Sequence, residues 1–250
     1  MKLRFILPLL SLALPLFAAE SGPNYATQPV LHPGTEKRHE SFNEISKKGE
    51  AELVFLGDSI THGWESAGRG REIWEKHWAP LKAANFGIGG DRTEHVLWRL
   101  EHGNFDGLQP KLVVLMIGTN NTGHQGRPQK ELDGAVYSCS AEQTAAGIKA
   151  ILEKLHAKCP KSKVLLLGIF PRGADSTDKM RLQNEATNAL IQKFADGQRV
   201  HYLDIGKKFL EPDGTLSKEI MPDLLHPNAK GYQIWADSIE TKVRELLAAH

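Results

Sequence analysis

The chain is poor in the features that mark a polyanion-binding protein, a metalloprotein or a disulfide scaffold. Neither sign of charge is in excess: 31 Lys and Arg face 30 Asp and Glu, a formal charge of +1 over 250 residues. That balance gives no reason to expect a nucleic-acid partner. Cysteine is scarce, with only Cys139 and Cys159 present. Cys159 falls at the end of a helix expected to start just after Cys139, and a straight helix of that length holds its ends too far apart for a disulfide. Two free or buried thiols are therefore expected. No His-Glu-x-x-His or paired-Cys pattern occurs, so no metal and no other cofactor is expected. Gly87-x-Gly89-Gly90 suggests a phosphate loop but lacks the third glycine and the P-loop lysine. There is no internal repeat and no second domain. The length suits one α/β domain with a sizeable core.

One apolar run stands out, at the N-terminus. Lys2 and Arg4 precede Phe5 to Phe17, which is interrupted only by Pro8, Ser11 and Pro15. Ala18-Ala19 then leads into the polar Glu20-Ser21-Gly22. This is the pattern of a cleavable signal peptide over residues 1–19. The run is too short to span a bilayer comfortably, so no stable membrane insertion is expected after cleavage. No cysteine sits at the cleavage region, which argues against a lipid anchor. The expectation is export, to a periplasm or beyond; an uncleaved anchor is the alternative. Residues 20–49 form a leader, polar and rich in Pro, Gly, Asn and Glu, expected to be extended and either wrapped on the domain or loose. The domain proper is placed at 50–250.

From residue 50 onward, short apolar runs alternate with amphipathic stretches. Strands are expected at 53–56, 85–88, 112–117, 163–170 and 200–204. Helices are expected at 92–102, 141–158, 181–194 and 232–247, with Gly103 as a stop signal and Asp91 with Glu94 as a capping box. Near-continuous apolar strands between helices imply a parallel sheet covered on both faces. In such sheets, sites form at the carboxyl ends of the strands. Residues 121–140 are poor in apolar side chains and read as an inserted loop.

Three segments fall at those strand ends: Gly57-Asp58-Ser59, Gly89-Gly90 and Gly118-Thr119-Asn120. A fourth, Asp223-Leu224-Leu225-His226, lies near the C-terminus. Together they supply the parts of a serine esterase. Ser59, just after a strand, can be a nucleophile once a base takes its proton; alternatively Asp58 or Ser59 merely caps a helix. Asp223 and His226 are three apart, so one helical turn would hold carboxylate against imidazole. The competing reading is a surface turn with a chance His, one of 11. Pro227 restricts the backbone of His226. A tetrahedral intermediate needs oxyanion donors: Gly90 allows close backbone approach, and Asn120 offers an uncharged amide. His62, His95 and His102 are assigned to packing or the pocket rim.

On these four segments the chain resembles the SGNH hydrolases, also called GDSL esterases. Within them it is most similar to the catalytic subunits of intracellular platelet-activating-factor acetylhydrolase. That likeness is densest at Asn85-Phe86-Gly87-Ile88-Gly89-Gly90-Asp91, His95-Val96-Leu97-Trp98-Arg99-Leu100 and Pro171-Arg172-Gly173, and covers roughly residues 50–247. The resemblance implies an α/β, three-layer flavodoxin-like fold with a central parallel sheet of about five strands. It also implies a metal-independent Ser59–His226–Asp223 mechanism, with an oxyanion hole from the N–H groups of Ser59 and Gly90 and the Asn120 amide. The export signal, the 121–140 insertion and Asn121, where many members carry Asp, are departures from the pattern. The expected substrate is a short-chain ester, acetyl first, on a carbohydrate or other small molecule. A lipid-directed acetylhydrolase or lysophospholipase is the alternative enzyme. A non-catalytic carbohydrate-binding domain is the alternative of another class. Oligomeric state stays open.

Overall fold

The structure is a computed structural model that describes residues 23–249. The expected signal peptide at 1–19 lies outside the described residues. In chain order the elements are α1 (Glu36–Lys48), β1 (Leu53–Gly57), α2 (Ser59–His62), α3 (Arg71–His77), β2 (Ala83–Gly87), α4 (Thr93–Glu101), β3 (Leu112–Met116), α5 (Thr119–Gly123), α6 (Ala141–Lys158), β4 (Lys163–Leu167), α7 (Lys179–Ile191), β5 (Val200–Leu203) and α8 (Ala229–Ala248). The five strands form one parallel sheet in the order β2-β1-β3-β4-β5. This is the flavodoxin-like order, and its switch point lies at β1 and β3.

Strand alternation splits the core in two. Val54, Leu56, Val113, Leu115, Val164 and Leu166 face α4, α6 and the aromatic face of α1. Leu53, Phe55, Val114, Met116, Leu165 and Leu167 face α3 and α8. There Phe55 sits among Trp64, Trp74, Trp78 and Trp235, with ring centroids 5.2–6.3 Å away. The strands are buried on both faces because helices cover both, which is why they read as unbroken apolar runs.

The leader is not extended throughout. Residues 36–48 form α1, closed by Gly49 in the left-handed conformation. Phe42, 2% exposed, stacks on Phe86 of β2 at 4.6 Å. The rest of the buried face is His39, Asn43 and Ser46, so the helix buries polar groups and carries few apolar ones. Asn43 donates to the carbonyl of His102, and the Ser46 hydroxyl accepts from the Phe105 N–H. The cysteines are free and buried at the two ends of the 18-residue α6. No helix of the described residues is long and apolar enough to cross a membrane.

If α1 belongs to the core, Phe42→Ala should destabilise the protein by about 3–5 kcal/mol. Urea unfolding reads this directly. A loose leader would cost less than about 0.5 kcal/mol.

Candidate active site

Three strand ends deliver the site to one edge of the sheet. β1 runs out at Gly57 and α2 begins at Ser59, with Asp58 as its N-cap. The carboxylate Oδ1 of Asp58 accepts the Ile60 N–H at 2.9 Å. The capping reading is realised at Asp58, and Ser59 stands next to it at the strand end. As the first residue of α2, Ser59 presents an N–H with no acceptor inside the helix.

The Ser59 hydroxyl lies 2.9 Å from His226 Nε2. His226 Nδ1 lies 2.7 Å from Asp223 Oδ2. The other carboxylate oxygen accepts the N–H groups of Leu225 and His226, at 3.1 and 2.7 Å. Desolvation works against the Asp223 charge, but the imidazole and these N–H groups outweigh it and hold the carboxyl below its ordinary value. The segment is not the helical turn expected from the three-residue spacing. It is an irregular turn with Leu224 at φ +58°, and that left-handed residue folds carboxylate and imidazole together. Two contacts fasten the turn to the serine. Arg69 Nε donates to the Pro227 carbonyl at 3.1 Å, and the Tyr232 hydroxyl donates to the Ile60 carbonyl at 2.6 Å.

Gly90 follows β2 with φ +82°, a conformation that L side chains rarely adopt. Asn120 lies in α5 after β3, and its amide donates to the Asp91 carbonyl at 2.9 Å. One amide hydrogen is thus spent on aiming the group, and the second remains for a ligand. Arg172, from the Pro171-Arg172-Gly173 motif, braces α5 through the carbonyl and hydroxyl of Thr119 at 2.8 and 3.0 Å.

Behind the donors lies a charged network that the sequence reading did not find. Asp91 is fully buried and bonded to Arg99 (2.9 and 2.8 Å) and to His32 Nδ1 (2.9 Å). Burial pushes its carboxyl up, but Arg99 and His32 outweigh that and hold it below its ordinary value. Asp91 and Glu94 do not form the expected capping box. Arg92 is the N-cap, and its N–H is taken by His95 Nδ1 at 3.0 Å. The Arg92 guanidinium, 1% exposed, gathers Glu94 (2.6 Å), His124 and Gln129 (2.8 Å each) and Glu131. A signal for one pair was available: Asp91 and Arg99 are eight apart, about two helical turns.

His62 is half-buried beside Ser59, and His102 is exposed and stacked on Trp98 at 4.0 Å. His95 is buried in the network. His32, Asp91 and His95 are close enough to be considered as metal ligands. Their donor atoms are engaged, however: Arg99 neutralises Asp91, and the Arg92 N–H occupies His95 Nδ1.

Burial pushes the Asp58 carboxyl up to about 7, against the Ile60 N–H that favours its charge. Its unfolded value is about 3.9. Between those pH values the folded state holds one more proton than the unfolded state, so Asp58 removes stability as pH rises through this window. Asp58→Asn keeps the cap and abolishes the titration. Its stability relative to wild type should rise by on the order of 2 kcal/mol between pH 5 and pH 8. Parallel urea titrations of both proteins at the two pH values measure this.

Residues 55–234 match the family model described as GDSL-like lipase/acylhydrolase. The human platelet-activating factor acetylhydrolase IB subunit alpha1 is 38% identical over 211 residues, 84% of this chain and 83% of that protein. The Bos taurus alpha1 subunit is 40% identical over 195 residues, 78% of this chain and 75% of that protein. A GDSL-like lipase from Bacteroides thetaiotaomicron superposes with a TM-score of 0.64 at 22% identity, covering 84% of this chain and 97% of that chain. An acetylxylan esterase from Geobacillus stearothermophilus gives 0.58 at 21%, covering 80% and 96%. At these identities the two solved structures speak to the fold, which is the flavodoxin-like sandwich expected from the sequence. The family model and the 38–40% identical relatives speak to descent and reaction class: the chain belongs to the GDSL-like lipase/acylhydrolase family and is an ester hydrolase.

Proposed function

We propose that the protein is an exported, metal-independent serine esterase that removes short acyl groups, acetyl first, from a carbohydrate or other small ester. The relay Ser59–His226–Asp223, with contacts of 2.9 and 2.7 Å, carries this reading. The Ser59 hydroxyl attacks the ester carbonyl carbon while His226 Nε2 takes its proton. Asp223 orients the ring and stabilises the imidazolium. The carbonyl oxygen becomes an oxyanion among the N–H groups of Ser59 and Gly90 and the Asn120 amide. Collapse breaks the bond to the alcohol, which leaves with the proton from His226. Water then attacks the acyl-serine by the same steps, releasing the acid and restoring the serine.

Acetyl is favoured because the 38–40% identical relatives are named acetylhydrolases. Those names also favour a second reading, a lipid-directed acetylhydrolase. Among the described residues the exposed large apolar side chains are Val136, Met180 and Leu182, which supports a small or sugar ester over a lipid surface. The retained Ser59, Asp223, His226, Gly90 and Asn120 stand against a purely carbohydrate-binding role.

Ser59→Ala should abolish fluorophosphonate labelling and lower kcat by several orders of magnitude, with unchanged melting temperature. Activity near wild type in that variant, or activity removed by EDTA and restored by zinc, would overturn the serine mechanism.

Substrate class is read from p-nitrophenyl esters of increasing acyl length, beside acetylated sugars and a lysophospholipid. The reading expects kcat/KM to fall beyond about four acyl carbons and acetylated sugars to be hydrolysed faster than the lysophospholipid. The opposite order establishes the lipid reading.

A further inference from the structure

Residues 26–35 of the leader and the insertion lie outside the α/β sandwich, yet both end on the loop read as holding the oxyanion. The leader is fixed on either side of His32. The Ala26 carbonyl accepts the Thr93 hydroxyl at 2.8 Å, Ala26 itself is fully buried, and on the far side Arg38 Nε donates to the Gly87 carbonyl at 2.7 Å. Between these anchors His32 reaches Gly90. A Cβ built on Gly90 would stand 3.0 Å from His32 Cε1, so the ring packs against the one face of Gly90 that has no side chain. The same ring bonds Asp91 Oδ1 through Nδ1 at 2.9 Å and stacks on His95 at 4.5 Å. The Asp91 carbonyl in turn holds the Asn120 amide. One imidazole thus touches the residue bearing one oxyanion donor and bonds the residue that aims another.

The insertion reaches the neighbouring residue. Gln129 and Glu131 close on Arg92. Tyr137 donates to Glu94 at 3.3 Å and stacks on Tyr25 of the leader at 5.9 Å. Leader and insertion form a small core of their own around Ala26, Tyr137 and Cys139. Gly90, Asp91 and Arg92 are therefore each held by a segment other than the strands and helices of the sheet layers.

We propose that His32 is a positioning residue of the active site, which fixes the Gly90 peptide and, through Asp91, the Asn120 amide for the oxyanion. The proposal rests on the reading of Gly90 and Asn120 as oxyanion donors. It makes residues 26–35 a functional part of the esterase. The geometry has to be held because such donors act only when aimed at the transition-state oxygen, and the full loss of one costs about 10²–10³ in rate. Misalignment of both should cost at least about tenfold.

The test uses the full chain with p-nitrophenyl acetate and four variants: His32→Ala, His32→Asn, His32→Gln and Asn120→Ala, plus the His32→Ala/Asn120→Ala double. Asn places an N–H donor where His has Nδ1 and can keep the bond to Asp91; Gln places it where His has Nε2 and cannot. Expected are a kcat at least about tenfold lower for His32→Ala with KM within about twofold, recovery within about threefold in His32→Asn, and no recovery in His32→Gln. In the Asn120→Ala background, His32→Ala should cost a clearly smaller factor than in wild type, because only the Gly90 donor is left for it to misplace. A His32→Ala kcat within twofold of wild type, or the same factor lost in both backgrounds, would overturn the proposal. If His32→Ala does not fold, equal kcat in the Asn and Gln variants overturns it and a lower kcat in Gln supports it. Failure of the esterase reading looks different: wild type is then inactive, or Ser59→Ala stays active. Failure of the donor assignment leaves Asn120→Ala at wild-type rate.

Discussion

A single buried carboxylate organises the edge of the sheet where the proposed catalytic residues gather. Asp91 has no access to solvent, and its charge is met by Arg99 on one oxygen and His32 on the other. Removing one partner of a buried pair typically costs about 3–5 kcal/mol, since the other charge is left without compensation. The group is therefore held in place by electrostatics as firmly as a core side chain is held by packing. Its main chain inherits that rigidity. The carbonyl of Asp91 fixes Asn120, and the Gly90 N–H belongs to the residue just before Asp91. Arg99 extends the hold into the sheet by donating to the Phe86 carbonyl and to Asn104. A costly buried charge is thereby converted into precise placement of neutral donors.

The second charged cluster explains a departure from the family pattern. Asn121 stands where many SGNH members carry Asp. Here its Oδ1 accepts the Thr93 N–H, while its amide faces the Thr93 hydroxyl, Tyr137 and Glu94 at 2.9, 2.9 and 3.2 Å. Glu94 is fully buried. An aspartate at 121 would set two carboxylates against each other without water to screen them, and one of the two would be pushed toward its protonated form. Asn121 and Glu94 are thus one choice made at two positions, and Arg92 neutralises the result. The insertion supplies Glu131 and Tyr137 to complete it, so the loop and the substituted residue belong to the same device.

The sheet was legible because its strands are buried on both faces: residues 112–117 and 163–170 announce β3 and β4 by apolar content alone. Helix α6 was read to its ends from Ile148, Ile151, Leu152 and Leu155 at helical spacing, and the structure adds a Ser140 cap. The edge strand β2 was read two residues late, because Ala83 and Ala84 carry little apolar signal. Helix α1 was missed because three of its four buried residues are polar, which erases the pattern that marks a helix face. At the site, the chemistry-bearing residues could be named from strand ends and spacing. The way Asp223 meets His226 could not: a left-handed Leu224 has no sequence signature, since glycine or asparagine is the usual mark of that conformation. The Asp91 and Arg92 networks escaped because partners such as Gln129, Glu131 and His32 are 37, 39 and 59 residues away in sequence and are themselves polar or charged. Charged residues ordinarily read as surface.

The two halves of the site are built on opposite principles. The half proposed to hold the oxyanion, where Gly90 is half-buried, rests on the buried ionic groups of Asp91 and Arg92 and is anchored by the insertion and by residues before α1. The acid–base half sits on an open turn, where the Asp223 side chain is 57% exposed and His226 27%. That half needs no deep burial. The Asp223 charge is already fixed by two N–H groups of its own turn, and Arg69 and Tyr232 set the distance from the turn to the serine. Exposure also leaves room for the alcohol to leave and for water to replace it, both of which must pass His226 in the proposed cycle. An oxyanion, by contrast, is stabilised best by donors that do not reorganise and that water does not screen. Rigid charge on one side of Ser59 and an accessible turn on the other follow from what each half must do.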